Sequence, residues 1–352
     1  MKRLIDELKN RLIYKFGVIY LAVAWLLTQI VVDLEEPLGL PGWMDTLVIT
    51  LLAVGFPIGL LFAWLHDRAG AAASAPASRS FRGEIKFCTT PDGCRLAYSR
   101  LGSGPPLLRT GNWVSHLDAE WDSPLHRPML RDLSRAFDLV IYDGRGTGLA
   151  DRNVDEFSLD TMVTDMETVA DTNALERFGI LAYSQSCAVA IAYAVRHPER
   201  VTRMVLYGGF AHNFRTPEEV DAIATLFAQS WGTANPATRQ IFTAALYPDS
   251  KKEEFDAFNE LQRQAMTPAT ASRLFRACHA IDVRELAKQV SVPTLVMHSR
   301  DEPGVPVEYG REIAALIPGA RFVPLDSCNH LVLEREPAYR QFIDETVAFV
   351  RG

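Results

Sequence analysis

The amino-acid sequence predicts an α/β fold: a mostly parallel, doubly wound sheet with a helical cap, preceded by a two-helix transmembrane hairpin. Two long uncharged stretches before residue 66 indicate the hairpin. After residue 84, short β-branched runs alternate with amphipathic helical patterns, and one long interval lacks strands. The predicted divisions are a membrane anchor at 1–67, a linker at 68–83 and an α/β domain at 84–352 with its cap at about 212–289.

The composition is that of an ordinary globular protein with an acidic surface. Hydrophobic residues make up 48% of the chain and charged residues 22%, with a net charge of −7. A negative net charge argues against a nucleic-acid partner. The five cysteines show no metal-ligand spacing, and we expect neither a metal nor a cofactor.

The uncharged stretches 16–32 and 46–65 are long enough to cross a bilayer as helices. At about 1.5 Å per residue they would measure roughly 26 and 30 Å, close to the thickness of the hydrocarbon core. We therefore predict transmembrane helices at about 12–32 and 46–65. A cleaved signal peptide fits poorly, because a second apolar segment follows soon after the first.

The flanking charges predict the orientation of this hairpin. Five basic residues precede the first stretch, whereas the connector 33–45 has four acidic residues and no Lys or Arg. By the positive-inside rule, both termini and the α/β domain lie in the cytoplasm, on a multi-pass anchor in the inner membrane with the lipid bilayer as partner. Gly55 and Gly59 suit close helix packing, either within the hairpin or between the protomers of a homo-oligomer.

This N-terminal segment is similar to a known membrane anchor. The likeness rests on Glu-Leu-Lys at 7–9, Trp-Leu-Leu at 25–27 and Gly-Phe-Pro at 55–57. These motifs resemble the two-helix anchor found ahead of some bacterial adenylate cyclases and tetratricopeptide proteins. The resemblance implies a tether for varied cytoplasmic domains. The Ala-, Ser-, Gly- and Pro-rich segment 69–82 is predicted to be a flexible linker.

Strand and helix patterns alternate along the rest of the chain. We predict strands at 85–89, 95–101, 106–110, 139–142, 179–183, 204–207, 294–297 and 321–324. Helical spacing predicts helices at 159–169, 188–196, 308–316 and 338–350. Such alternation indicates a mostly parallel sheet covered on both faces. The interval 216–289 lacks a convincing strand and is too long for an ordinary crossover, so it is predicted to form a helical cap over the strand ends.

Ser184 lies in a motif that follows a predicted strand and opens a predicted helix. Residues 182–186 read Ala-Tyr-Ser-Gln-Ser. A strained strand-to-helix turn exposes a nucleophilic serine at the sheet edge, and it requires small residues two before and two after that serine. Ala182 and Ser186 stand where glycine is usual, and both are small. We therefore predict that Ser184 is the nucleophile.

Three further motifs follow in a recognisable order: Asp-Gly-Arg-Gly-Thr-Gly at 143–148, His-Pro-Glu-Arg-Val at 197–201 and Asn-His at 329–330. Together with the Ser184 motif they make the chain from about Gly83 to Gly352 resemble the α/β-hydrolase family, in particular its capped, esterase-like serine hydrolases. The resemblance implies an α/β-hydrolase sheet and a catalytic triad. It carries little information about the substrate.

The resemblance also implies the order serine, acid, histidine, with His330 as the base that activates Ser184. Members of the family commonly have Gly-Asp-x-x-x-Pro in the acid loop. Counting back from Pro306 gives Glu302 as the acid, while Asp301 takes the place of the glycine and remains the alternative.

Two backbone N–H groups should stabilise the oxyanion. One belongs to Gln185, directly after the nucleophile. By the resemblance the other comes from the Thr-Gly-Asn-Trp loop at 110–113, so Asn112 or Trp113 donates. Three side chains either line the substrate pocket or pack in the core: Trp113, His116 and Trp121.

The predicted function is hydrolysis of a small carboxylic ester, or a related acyl compound, through an acyl-enzyme. A dehalogenase or soluble epoxide hydrolase is disfavoured, because those chemistries use an aspartate nucleophile. A lactonase, thioesterase, amidase or carbon–carbon bond hydrolase remains open. A different alternative is a membrane-tethered ligand sensor that uses a hydrolase fold, against which the complete triad argues.

Overall fold

The structure, a computed structural model, describes residues 20–21, 23–30, 41, 43–73 and 83–352. Its contacts divide the chain into two compact units, Met1–Ser78 and Arg79–Gly352. Most of the first predicted transmembrane span and most of the predicted linker lie outside the described residues.

In the N-terminal unit, residues 20–21 and 23–30 are helical, and helix α1 spans Met44–Ala73. Tyr20 Oη donates a hydrogen bond of 2.8 Å to the Leu52 carbonyl. A Cβ atom at Gly55 would lie 2.6 Å from that hydroxyl oxygen, so the glycine leaves the room that the tyrosine occupies. The two helical segments therefore pack against each other.

No helix in the described part of the chain is both long and apolar enough to cross a membrane. The predicted transmembrane hairpin at 12–32 and 46–65 is therefore not confirmed, since a bilayer span needs about twenty consecutive apolar residues. The linker prediction is also corrected at its start. Helix α1 continues to Ala73, because the alanines that follow residue 68 favour a helix.

The second unit contains an eight-stranded sheet in the order β1-β2-β4-β3-β5-β6-β7-β8. Only the β1–β2 and β2–β4 pairs are antiparallel, so the prediction of a mostly parallel sheet is confirmed. The strands are β1 Ile85–Thr89, β2 Arg95–Gly102, β3 Pro106–Arg109, β4 Asp138–Asp143, β5 Phe178–Tyr183, β6 Val201–Tyr207, β7 Thr294–Ser299 and β8 Arg321–Leu325.

Helices cover both faces of the sheet. Those outside the cap are α2 Leu117–Asp122, α3 Arg127–Ala136, α4 Leu159–Thr172, α5 Ser186–Arg196, α10 Arg284–Ala287, α11 Val307–Leu316 and α12 Pro337–Arg351. Helices α2 and α3 were not predicted from the sequence. They lie in the connection between β3 and β4, directly after the loop expected to supply an oxyanion donor.

The centre of the sheet places the site. Every residue of β5 is buried, as expected for a parallel strand covered on both faces. Strands β5 and β6 run in register to their last residues, where Tyr183 pairs with Tyr207. Their carboxyl ends therefore lie together at one edge, and Ser184 follows immediately after this edge.

The chain between β6 and β7 forms the cap. Its helices are α6 Pro217–Ser230, α7 Ala237–Leu246, α8 Lys252–Ala265 and α9 Pro268–Ala280. Helix α6 begins with a capping box, in which Thr216 and Glu219 bond each other's backbone N–H groups. The two ends of the insertion meet at its base, where Val283 N–H donates to the Ala211 carbonyl at 2.8 Å.

Candidate active site

Ser184 occupies a strained turn between β5 and α5. Its φ angle of 58° lies in the left-handed region, where a non-glycine residue is uncommon. The turn is held by the Ser184 N–H, which donates to the Tyr207 carbonyl at 2.9 Å. Strain of this kind is typical of a nucleophile elbow, because the turn must expose the serine hydroxyl at the sheet edge.

The serine at position 186, where glycine is usual, is accommodated by hydrogen bonds. Ser186 Oγ donates to the Tyr183 carbonyl at 2.8 Å and accepts from Thr110 Oγ1 at 2.7 Å. These bonds satisfy a hydroxyl that is completely buried. Close approach to the elbow is instead made by Gly209, where a Cβ atom would lie 2.4 Å from Cys187 Sγ.

His330 and Glu302 form a buried pair in which His330 Nδ1 donates to Glu302 Oε1. The same carboxylate oxygen accepts the Val305 N–H at 3.1 Å, and the His330 N–H donates to the Leu246 carbonyl at 2.7 Å. This tautomer leaves the other ring nitrogen, Nε2, free to accept the Ser184 proton. The structure thus brings Ser184 and His330 to one cavity, in which Glu302 holds the imidazole ring.

The two candidate acids lie in different environments. Glu302 is buried against His330, whereas the Asp301 side chain is exposed and its backbone N–H donates to the Ser327 carbonyl at 3.1 Å. Of the two candidates, Glu302 contacts His330, whereas Asp301 faces solvent.

His298 supports this acid loop, a role that the sequence analysis did not identify. Its Nε2 donates to the Val305 carbonyl at 2.8 Å and lies 3.5 Å from Glu302 Oε2. Burial lowers the pKa of His298, so the imidazole is neutral at pH 7. A neutral ring can pack here without competing with His330 for the charge of Glu302. In the sequence, the position of His298 at the end of β7 was the feature that could have indicated this role.

Of the three backbone N–H groups predicted as possible oxyanion donors, one already has a hydrogen-bond partner. The Trp113 N–H donates to Asn112 Oδ1 at 2.8 Å and is therefore already occupied. The backbone N–H groups of Gln185 and Asn112 remain for the oxyanion. Both residues line the cavity that Ser184 and His330 share.

This cavity contains about 720 Å³ of empty space, including the space at its open mouth. Its lining is mostly aromatic and aliphatic, and includes Trp113, Phe210, Phe214, Phe242, Phe258 and Phe275. The Trp113 ring lies between the sheet and the cap, with its centroid 5.3 Å from Trp231 and 5.1 Å from Phe242. Of the three predicted substrate-binding residues, Trp113 is therefore in the cavity.

The other two hold helix α2. His116 caps its first turn by accepting the Ala119 N–H at 3.4 Å, and Trp121 is buried in the hydrophobic core. For His116 and Trp121 these contacts favour the second predicted alternative, packing rather than lining the pocket. Helix α2 turns both side chains away from the lining instead.

The family can now be identified. A family model described as the alpha/beta hydrolase fold matches residues 117–337. The chain belongs to the α/β-hydrolase family. This α/β hydrolase is 24% identical over 265 residues to 2-hydroxy-6-oxo-2,4-heptadienoate hydrolase of Pseudomonas putida, covering 70% of this chain and 87% of the relative.

Two further comparisons agree. Pimeloyl-[acyl-carrier protein] methyl ester esterase of Nitrosomonas europaea is 28% identical over 237 residues, covering 65% of this chain and 90% of the esterase. A solved hydrolase structure from Pseudomonas aeruginosa PA01 is 25% identical with a TM-score of 0.65, covering 77% of this chain and 99% of the other. The α/β hydrolase described here is therefore an enzyme, of a class whose relatives are named as hydrolases and esterases.

Several polar residues of the α/β-hydrolase cavity were missed by the sequence analysis. His126, Arg215, Tyr247 and His279 all line it. Burial lowers the pKa of His126 to about 4, so this ring is neutral at pH 7. These residues belong to helices and loops between the strands, where no local pattern indicates which side chains turn inward. Among the described residues, no cluster of His, Cys, Asp or Glu could hold a metal ion.

Proposed function

We propose that this α/β hydrolase cleaves a small carboxylic ester, or a related acyl compound, through an acyl-enzyme on Ser184. The observation that carries the proposal is the buried hydrogen bond from His330 to Glu302 in a cavity that Ser184 also lines. A serine, an oriented imidazole and a buried acid are the groups that acyl transfer to serine requires.

In the proposed reaction, His330 Nε2 takes the hydroxyl proton as Ser184 Oγ attacks the ester carbonyl. The N–H groups of Gln185 and Asn112 stabilise the negative charge on the tetrahedral intermediate. The intermediate collapses to the acyl-enzyme, and His330 gives its proton to the departing alkoxide. Water, deprotonated by His330, then attacks the acyl group, and His330 returns the proton to Ser184 Oγ as the acid is released. Glu302 stays ionised and stabilises the imidazolium in both steps.

The proposal is tested by labelling the full-length protein with a fluorophosphonate and assaying a short aryl ester. We expect covalent labelling of Ser184 in the parent and none in Ser184→Ala, with a loss of several orders of magnitude in kcat. Ser103→Ala, in the exposed loop after β2, is the matched control and should behave as the parent. An unlabelled parent that still binds a small ligand would favour the sensor alternative.

We further propose that residues 1–67 tether the hydrolase to the cytoplasmic face of a bacterial inner membrane. Support comes from the uncharged stretches 16–32 and 46–65 and from the basic residues that flank them. The hydrogen bond from Tyr20 to the Leu52 carbonyl is what a hairpin of two antiparallel segments would form.

A further inference from the structure

Arg215 is a half-buried cation that lines the cavity and that the proposed chemistry does not use. It lies on the chain segment that leads from β6 into the cap, and it lines the cavity together with Ser184 and His330. Its Nε atom is buried without a hydrogen-bond partner. The neighbouring carboxylate, Glu219, is already engaged, because its Oε2 accepts the Thr216 N–H at 2.9 Å.

The arginines that are buried more completely in the described part of the chain have partners. Arg109 pairs with Glu120, Arg145 pairs with Asp165, and Arg239 donates to the Thr233 carbonyl. A charge that is partly removed from water without a counter-charge is unfavourable, because its desolvation is not compensated. Burial lowers the pKa of Arg215, but a guanidinium remains protonated at neutral pH. The position of Arg215 therefore calls for an anion.

The backbone around Arg215 is fixed in advance. Asn213 Oδ1 accepts the Arg215 N–H at 2.9 Å, and Asn213 Nδ2 donates to the Arg215 carbonyl at 2.8 Å. The guanidinium carbon lies 5.0 Å from the Phe214 ring, whose own partner is the Tyr309 ring at 5.0 Å. A side chain held in this way can bind a ligand without a large loss of conformational entropy.

No described residue that lines the cavity is Asp or Glu. The neutral partners around Arg215 are aromatic: Phe214 on its own segment and His279 on helix α9, whose pKa burial lowers. One positive charge in such a lining matches one negative charge on a ligand. A phosphate dianion would keep a second charge uncompensated, whereas a carboxylate carries one charge and fits the planar guanidinium through two parallel hydrogen bonds.

We propose that Arg215 binds a carboxylate of the substrate, and that the substrate is therefore an ester that carries a second, free carboxylate away from the scissile bond. This inference rests on the proposed ester hydrolysis. It names the class of substrate: a monoester of a dicarboxylic acid, or an ester of similar charge distribution. The carboxylate on Arg215 would hold the substrate in register while Ser184 attacks the ester carbonyl.

The test compares monomethyl and dimethyl esters of the same dicarboxylic acids, from succinate to suberate, with the full-length protein. We expect the parent to favour one monoanionic ester over its dimethyl ester by at least about tenfold in kcat/KM. Arg215→Met should lower kcat/KM for that monoanion by ~10–100-fold, since a charge-assisted hydrogen bond is lost, and should change the dimethyl ester by under about threefold. For the monoanionic ester, Arg215→Lys should have a kcat/KM between those of the parent and Arg215→Met.

The control is Arg276→Met, which removes an exposed arginine of helix α9 that pairs with Asp221 at the surface. It should leave both esters as in the parent. An Arg215→Met variant with an unchanged ratio of monoanion to dimethyl ester would overturn the inference.

A failure of the proposed function looks different, because neither ester would then be hydrolysed and Ser184 would not be labelled. In that case, calorimetry of the monoanionic esters with the Ser184→Ala protein tests whether the carboxylate site exists. Binding that Arg215→Met abolishes supports the carboxylate site, and absence of binding overturns it.

Discussion

In the proposed triad, Glu302 takes the place of an aspartate although its side chain is one methylene longer. The acid loop absorbs this length: Val305 N–H donates to Glu302 Oε1 at 3.1 Å, and Gly304 leaves room, since a Cβ atom there would lie 2.7 Å from Leu246 Cδ2. The carboxylate therefore reaches His330 from the loop position directly after solvent-exposed Asp301.

At the residue scale we predict that Glu302→Gln lowers kcat by ~10³-fold or more, because an amide can no longer stabilise the imidazolium and can donate to the wrong tautomer. Asp301→Asn, the matched neighbour, should cost under tenfold, following the same tautomer argument. Both variants are assayed on one ester, with folding checked by circular dichroism. A larger loss at Asp301 than at Glu302 would move the acid by one residue.

At the scale of elements, strand β3 and helix α2 are joined by a completely buried ion pair. Arg109 is the last residue of β3 and Glu120 lies in α2, and Arg109 Nη2 donates to Glu120 Oε1 at 3.2 Å. The loop between them carries Asn112 and Trp113. The ion pair thus holds together the two elements that flank the loop of Asn112, the residue proposed as an oxyanion donor.

We predict that Glu120→Gln lowers the free energy of unfolding by about 3–5 kcal/mol, because it leaves Arg109 buried without its counter-charge. Glu334→Gln is the matched control: this carboxylate pairs with Arg131 at the surface, and its loss should cost under about 1 kcal/mol. Urea unfolding of the three proteins measures both values. Equal stability of the two variants would show that the buried pair contributes no more than the exposed one.

Local patterns were sufficient to predict the strands and the elbow. The run Phe178–Tyr183 is apolar throughout, and the small residues around Ser184 mark the turn that follows it. Helices α2 and α3 were missed, because they are short and begin at histidines rather than at strong capping residues. Missing α2 is also why His116 and Trp121 were considered for the pocket.

Pairing across the chain was harder to predict. His330 and Glu302 are 28 residues apart, and they were connected only through the resemblance to a family. The inward position of Arg215 had no local signal at all, because it depends on how the segment after β6 folds back against the cap. The whole sheet sets the distances between loops that are far apart in the chain. A single sequence has no local pattern from which such distances can be read.

At the scale of the whole molecule, the tether is the remaining prediction. The full-length protein should sediment with membranes and resist carbonate extraction, while a chain beginning at Ser80 should be soluble and still react with a fluorophosphonate, since the second unit has its own core. A periplasmic reporter fused after Gly352 should be inactive. An active reporter would reverse the orientation, and a full-length protein that stays in the supernatant would remove the tether.

The closed base of the cap has a consequence for how this enzyme could diversify. Because Ala211 and Val283 are hydrogen-bonded neighbours, the chain between them can be exchanged for another segment without moving either strand. A contact beside the proposed catalytic histidine limits this freedom: the Leu246 carbonyl, inside the cap, accepts the His330 N–H. A replacement segment must supply an acceptor at the same point. A new cap that changes the substrate range must therefore also keep His330 in position. Caps that lack this carbonyl should be rare among active descendants.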